Sequence, residues 1–592
     1  ATSTECRLGS MAPRVAPAAV LLPLLLLPLA AAARYEHALE LVGLAAPAPP
    51  RDAARDAAAF VRLATAAPLS GGAGWVSVEV GGCAHPTVEG WWVGLYARDP
   101  SEAAPLKVRH LDASVPGFYT HGAANFTLRV TNHRVPLRLV LLRKGLFKPV
   151  VVATSERAVE FDTYGAPLGA HLSLLRGGKG LQVQWTTDHT CTSPRVRWGL
   201  SPESYDNEAA AATATYTPGD MCGSPAKDVG WVDPGLIHTA PMAGAQPGQT
   251  VYYVYGDESE GCGFGAEASY VVPPAAGATS EARLLLIADM GVTQEDGSNQ
   301  FNDMPGPANV TRRLVAEAES GSFDPHALVH VGDLSYARGY GSLWDELFER
   351  VQPVATRVPY MAGIGNHERD WPGTGCYLCE SRDQDSHGEC GVPYEARFPM
   401  PTPARDSPWY SFDVGPVHML VISTEHFFAA GSPQYAFVEA DLKAVDRSVT
   451  PWVLFMGHRP FYVSSNNNEP HWGDTTVGIA MRKAFEGLWQ EYGVDLTVAG
   501  HHHSYQRTCH ATGGKCAPDG KAPVHLVIGN AGARYSPVQS PQPAVFECTH
   551  LIYGYARLRA NATHLTTEAV AGSDGRVFDT LTLVKPPAAA AR

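Results

Sequence analysis

A chain of 592 residues is too long for one hydrophobic core, and 45% hydrophobic with 18% charged residues describes folded globular domains, not a disordered or fibrous chain. The net charge of −14 argues against nucleic-acid backbone as the main partner. It leaves small anionic substrates open, because bound cations can dominate the field of a site.

The first 33 residues divide into upstream residues before Met11, a basic Arg14, an apolar run from Val15 to Leu29 and the small residues Ala30–Ala33. That order is the layout of a secretory signal peptide, and Pro23 and Pro28 within the run favour cleavage over anchoring. No later run reaches about 18 apolar residues, so no membrane span is expected once the signal is removed. Sequons at Asn125, Asn309 and Asn561 predict glycosylation on the secretory route. Of 11 cysteines, removal of Cys6 with the leader leaves ten (11 − 1), which suits disulfides. Cys509 and Cys516 flank a short Gly-containing loop and are candidates to pair; Cys376-x-x-Cys379 lacks a second CxxC and reads as disulfide cysteines, not a zinc site. The expected location is secreted or extracellular, with cell wall and vacuole open.

Residues 34–165 begin as an Ala/Pro-rich preface and continue as alternating runs such as Trp75–Val80, Asn125–Val130 and Leu137–Leu142, which predict a β-sandwich. Residues 168–275 predict a second β domain from Leu181–Trp185 and Val251–Tyr255. From 281 to 510 short buried runs alternate with helical stretches, the pattern of an α/β layered domain. Ser432 and Pro433 there have the chemistry of an N-cap and a first helical residue, with Val438, Leu442 and Val445 on one face. Residues 520–585 return to strand-like runs.

Five buried runs in the α/β region each end in residues able to bind metal. Leu284–Ala288 ends in Asp289-Met-Gly291, Ala327–Val331 in Gly332-Asp333-Leu-Ser-Tyr336, and Tyr360–Ile364 in Gly365-Asn366-His367-Glu368. Val453–Met456 ends in Gly457-His458, and Asp495–Ala499 in Gly500-His501-His502-His503. Ligands of α/β sheets bind beyond the carboxyl ends of strands, so the five ends converge on one place.

These motifs, Asp-x-Gly, Gly-Asp-x-x-Tyr, Gly-Asn-His-Glu, an apolar run ending in His and Gly-His-x-His, resemble those of the purple acid phosphatases, over about Leu172–Val584. The extra sandwich looks like that of the longer plant-type members. The resemblance implies a multidomain fold: fibronectin III-like N-terminal β-sandwich domains, then an α/β metallophosphoesterase four-layer β-sandwich flanked by helices, and a C-terminal metallophosphatase-associated segment. It implies one metal on Asp289, Asp333, Tyr336 and His503, another on Asp333, Asn366, His458 and His501, and Asp333 as the bridge. The first set is anionic and oxygen-rich and suits Fe(III); the second suits a divalent Zn, Mn or Fe. Tyr336 separates this family from relatives with Asp-x-His at the first motif, where this chain has Gly291. The implied activity is an acid phosphatase hydrolysing small phosphate monoesters by attack of a metal-bound hydroxide. A homodimer is compatible with it, and nucleic acid is not an expected partner.

His367 is the candidate for leaving-group protonation or phosphate binding, cationic at acid pH, with Glu368 orienting it. The plant-type pattern has two adjacent histidines after the His458-type ligand; here Val463–His471 supplies only His471, and His426 is a further candidate for phosphate contact. His502 is expected to face away from the metals, and His330 to be a core residue. A nucleotide pyrophosphatase/phosphodiesterase or a phytase would use the same metals, and a catalytically silent binding protein is the alternative of another class.

Overall fold

The computed structural model describes residues 58–586 apart from 147–148, 179, 302, 375–383, 471–472 and 519. The signal segment and Cys376-x-x-Cys379 lie outside the described residues. The first β domain pairs a sheet of Phe60–Leu63, Ala73–Gly81 and Ala124–Thr131 with a sheet of Trp92–Tyr96, Lys107–His110, Arg138–Arg143 and Val150–Thr154. Val76, Val78 and Val80 meet Val93, Leu95, Leu139 and Leu141 in one core. The period-two pattern of the sequence produces this, because alternate side chains of a strand share a face. A second sandwich follows, and its core residues Leu172, Leu181, Val183, Trp185, Val251 and Tyr253 belong to the same apolar cluster as the α/β domain.

Two sheets face each other in the α/β domain. One contains β1 (Ala282–Ile287), β2 (Ala327–Val331) and β3 (Tyr360–Gly363), mutually parallel, with Gly554–Ala560 antiparallel beside β1. The other contains β4 (Val417–Val421), β5 (Trp452–Met456) and β6 (Leu496–Ala499), also parallel, and continues through Val524–Ile528 to Tyr505–Thr512. Met419, Val421, Leu454, Met456 and Val498 point towards the first sheet, while Leu420, Val453 and Phe455 point towards the helices Pro433–Ala444 and Asp474–Tyr492. Strands buried on both faces read as unbroken apolar runs for this reason. The C-terminal segment divides between the two sheets: Val524–Ile528 and Phe546–His550 join the second, and Gly554–Ala560, His564–Ala571 and Val577–Val584 complete the first. Ser432 caps the first of those helices, accepting from the Tyr435 amide at 3.1 Å, with Pro433 at its first position.

Covalent and ionic ties lock the domains together. Cys222–Cys390 joins the second sandwich to the α/β domain, Cys191–Cys262 lies within the second sandwich, and Cys509–Cys516 closes a local loop. Buried Asp345 accepts from Arg134 of the first sandwich at 2.7 Å and from Arg397 at 3.3 Å.

The β4 hairpin is pinned to the helix Pro433–Ala444 by His418, whose Nδ1 lies 2.7 Å from Asp413 and Nε2 2.8 Å from Asp441. Burial lowers the imidazole pKa, but the two carboxylates outweigh it and raise it to about 9. A raised folded pKa means the contribution is complete below the unfolded value of about 6.5 and is lost as pH rises through the folded one. Solvent screens Asp413, so the expected loss is on the order of 1–2 kcal/mol. Thermal melting of His418→Asn should lack this alkaline decline; an unchanged pH profile in the variant would contradict the assignment.

Candidate metal centre

β1, β2 and β3 of one sheet and β5 and β6 of the other end at the same edge of the sandwich, so the five motifs meet across two sheets. Asp289, Asp333, Tyr336 and His501 all have left-handed backbones, with φ of 60°, 52°, 51° and 66°. Such conformations cost roughly 1–2 kcal/mol each for a residue with a Cβ, and persist where the surroundings over-determine them. Glu368 supplies part of that restraint: its carboxylate accepts from the amides of Asp333 (2.9 Å), Leu334 (2.8 Å) and Gly365 (2.9 Å). The expectation that Glu368 orients His367 is therefore corrected; it clamps the turn that carries Asp333. Close approach explains two motif glycines. A Cβ at Gly365 would strike the Asp333 carboxylate, and one at Gly500 the Asp289 carboxylate.

Two donor groups result, and they share one residue. Asp289, Asp333 and His503 present ligand atoms within 4.8 Å of one another, and so do Asp333, His458 and His501. The Tyr336 hydroxyl lies 3.0 Å from Asp289 Oδ1 and 2.8 Å from His503 Nε2. Asn366 Oδ1 lies 3.0 Å from His458 Nε2 and 2.9 Å from His501 Nδ1.

Hydrogen bonds on the far side of each ring set the tautomers. His458 Nδ1–H donates to the Val331 carbonyl at 3.0 Å, and His503 Nδ1–H to the Arg534 carbonyl at 2.5 Å. His501 Nε2 faces Asp474 Oδ1 at 3.4 Å. The remaining imidazole nitrogens face the oxygens of Asp333, Asn366 and Tyr336. Nitrogen and oxygen donors converging in this way suit cations between them, and a carbonyl or carboxylate behind each imidazole is the usual support of a metal ligand. The residues therefore fit two metal ions.

Burial, then Asp289 and Asp333, push the Tyr336 phenol well above its ordinary value. Its ionisation depends on a strongly charged cation. Burial lowers the His367 imidazole to about 4, opposed by the Asp333 and Asp385 carboxylates. Its Nδ1–H donates to the Asp385 carbonyl at 3.0 Å, and Nε2 lies 3.8 Å from Asp333 Oδ2.

His471 lies outside the described residues. His426 is buried with both nitrogens engaged, by Ser423 Oγ at 2.7 Å and Asp406 at 3.2 Å, so the structure does not bring it into the donor groups. His502 turns away onto Ser504, and His330 is a core residue bonded to the Tyr360 hydroxyl at 2.7 Å. Sequence reasoning missed Asp385, which accepts from Asn366 Nδ2 at 2.9 Å and so turns Oδ1 towards the histidines. It also missed Asp474 and Arg459. Asp385 and Asp474 sit in stretches without a strand-end motif; Arg459 adjoins one, and its position beside His458 was the available signal.

The fold and site define a metallophosphoesterase. Residues 282–505 match the calcineurin-like phosphoesterase model, 167–271 the purple acid phosphatase N-terminal domain, and 522–580 the iron/zinc purple acid phosphatase-like protein C model. The chain is 33% identical over 541 residues to "Probable inactive purple acid phosphatase 27" of Arabidopsis thaliana, covering 86% of this chain and 87% of that one. It is 36% identical to a barley (Hordeum vulgare) "Nucleotide pyrophosphatase/phosphodiesterase" over 53% of this chain and 86% of that one. The structure of purple acid phosphatase PPD1 from yellow lupin seeds superposes with a TM-score of 0.82 at 29% identity, covering 89% of this chain and 96% of that one. This chain belongs to the purple acid phosphatase family.

Asp385→Ala frees the Asn366 amide to rotate. Metal affinity should fall by about 10–100-fold in the group containing Asn366 and be kept in the group containing Tyr336. Metal analysis after graded chelation checks this; equal retention of both metals would contradict the role of Asp385.

Proposed function

We propose that this chain is a secreted acid phosphatase that hydrolyses small phosphate monoesters at a dinuclear Fe(III)–M(II) centre, with M being Zn, Mn or Fe. The observation that carries the reading is the sharing of Asp333 by two complete donor groups. Asp289, Asp333, Tyr336 and His503 would hold the trivalent ion through up to three anionic oxygens. Asp333, Asn366, His458 and His501 would hold the divalent ion through mainly neutral donors. When bound, the ions supply Lewis acidity and lower the pKa of coordinated water.

The protein's own groups do the rest. Asp385 and Asp474 hold Asn366 and His501 in their binding orientations. His367, anchored through Nδ1, presents Nε2 to the centre. A phosphate dianion beside that nitrogen favours its protonated form, opposing the burial that lowers it, so substrate binding equips His367 to protonate the leaving oxygen, a contribution of roughly 10²–10⁴ in rate. Exposed Asn125, Asn309 and Asn561 and the disulfides support passage through the secretory pathway. Among the described residues no helix is long and apolar enough to cross a membrane.

The barley relative favours a second reading, hydrolysis of nucleotide anhydrides or diesters. The name of the Arabidopsis relative favours a silent protein, against which the intact set of seven metal-binding side chains stands. Metal analysis, a visible spectrum and kinetics on p-nitrophenyl phosphate, its bis ester and ATP separate these. Two metals per chain, a visible band lost in Tyr336→Phe and preference for the monoester are expected; Asp333→Ala should lose both metals and turnover. A colourless active enzyme would sink the iron assignment, and a doubly loaded chain inert to every ester would sink the enzyme.

A further inference from the structure

Arg459 directly follows the donor His458, and its side chain is only 8% exposed. Buried arginines are normally placed by carboxylates, and this one is placed twice. Nε donates to both oxygens of Glu425 at 3.0 Å, and Nη2 to Asp370 Oδ2 at 2.8 Å. Glu425 follows β4, and Asp370 caps the short helix Asn366–Arg369 that begins with the donor Asn366. The guanidinium is thus fixed relative to both sheets, with little freedom left to lose on binding a ligand.

Nη1 is the part of the fork that these clamps do not use. It lies 3.4 Å from His501 Nε2. That nitrogen also lies 3.4 Å from Asp474 Oδ1. With His501 Nδ1 turned to Asn366 and the donor group, Nε2 carries the hydrogen and donates to Asp474, so it offers Nη1 no lone pair. Among the described residues no other hydrogen-bond contact engages Nη1, and it sits against the donor histidine His501. His426, one of the histidines expected to reach phosphate, has both nitrogens committed elsewhere. A planar cation with unused N–H groups beside a phosphoryl site is suited to a phosphoryl oxygen.

We propose that Arg459 binds a non-bridging oxygen of the substrate phosphoryl group, and of product phosphate, through Nη1. The inference rests on the phosphatase reading above and extends it to the residue that holds the anion. Arg459 is then a catalytic residue of the divalent-ion side, and Glu425 and Asp370 are positioning residues that act through it.

The test uses the full metal-loaded chain and inorganic phosphate, titrated calorimetrically and as an inhibitor of p-nitrophenyl phosphate hydrolysis. Arg459→Lys keeps a charge near Glu425 but loses the fork. Phosphate affinity should fall by about 10–100-fold, as for a lost charge-assisted hydrogen bond, with metal content and visible spectrum retained. The double variant Arg459→Met/Glu425→Gln removes the buried pair together and should show the same loss; if it does not fold, Arg459→Lys decides. Loaded Arg459→Lys with wild-type phosphate affinity would overturn the inference and leave the phosphatase reading standing. A wild-type loaded chain that neither binds phosphate nor hydrolyses any ester would overturn both.

Discussion

One carboxylate serving two donor groups is the constraint around which this molecule is arranged. Asp333 has to face Asp289 and His503 on one side and His458 and His501 on the other. Those residues end strands of two different sheets, so the sheets must pack face to face and finish at one edge. The paired apolar faces of β1, β2, β4 and β5 are what hold that register. Hydrophobic packing here sets the position of a carboxylate, and the chemistry depends on it.

The local backbone around the centre is unfavourable by itself. Four of the metal-binding residues occupy left-handed conformations, and motif glycines stand where a Cβ would collide with a carboxylate. Glu368 offsets part of this cost by collecting three amides of the Asp333 and Gly365 turns. Outside the donor atoms, each histidine is fixed by a carbonyl or carboxylate behind it. Preorganisation of this kind lets the site hold converging lone pairs ready for cations.

The sandwich domains are part of the same body. Asp345 is shared with the first sandwich through Arg134, and Cys222–Cys390 ties the second to the segment that contains Asp385. Asp385 in turn holds Asn366. The path from the second sandwich to a metal-binding amide is therefore short and covalently braced.

Much of this was legible in the sequence, because strand periodicity and the residues that end strands are local properties. The five apolar runs, their terminal Asp, Asn, Tyr and His residues, the Ser432 cap and the Cys509–Cys516 pair could all be read there. Glu368 was misassigned because two of its three amide partners lie 34 and 35 positions away, which no spacing rule reaches. Asp385, Asp474 and the clamp on Arg459 are likewise contacts between segments distant in the chain. The sequence by itself determined the donor types and the strands that carry them; only the tertiary structure decided the far-side partners of the histidines, the burial of His367 and the direction of the Arg459 fork, since packing and distant partners set orientation.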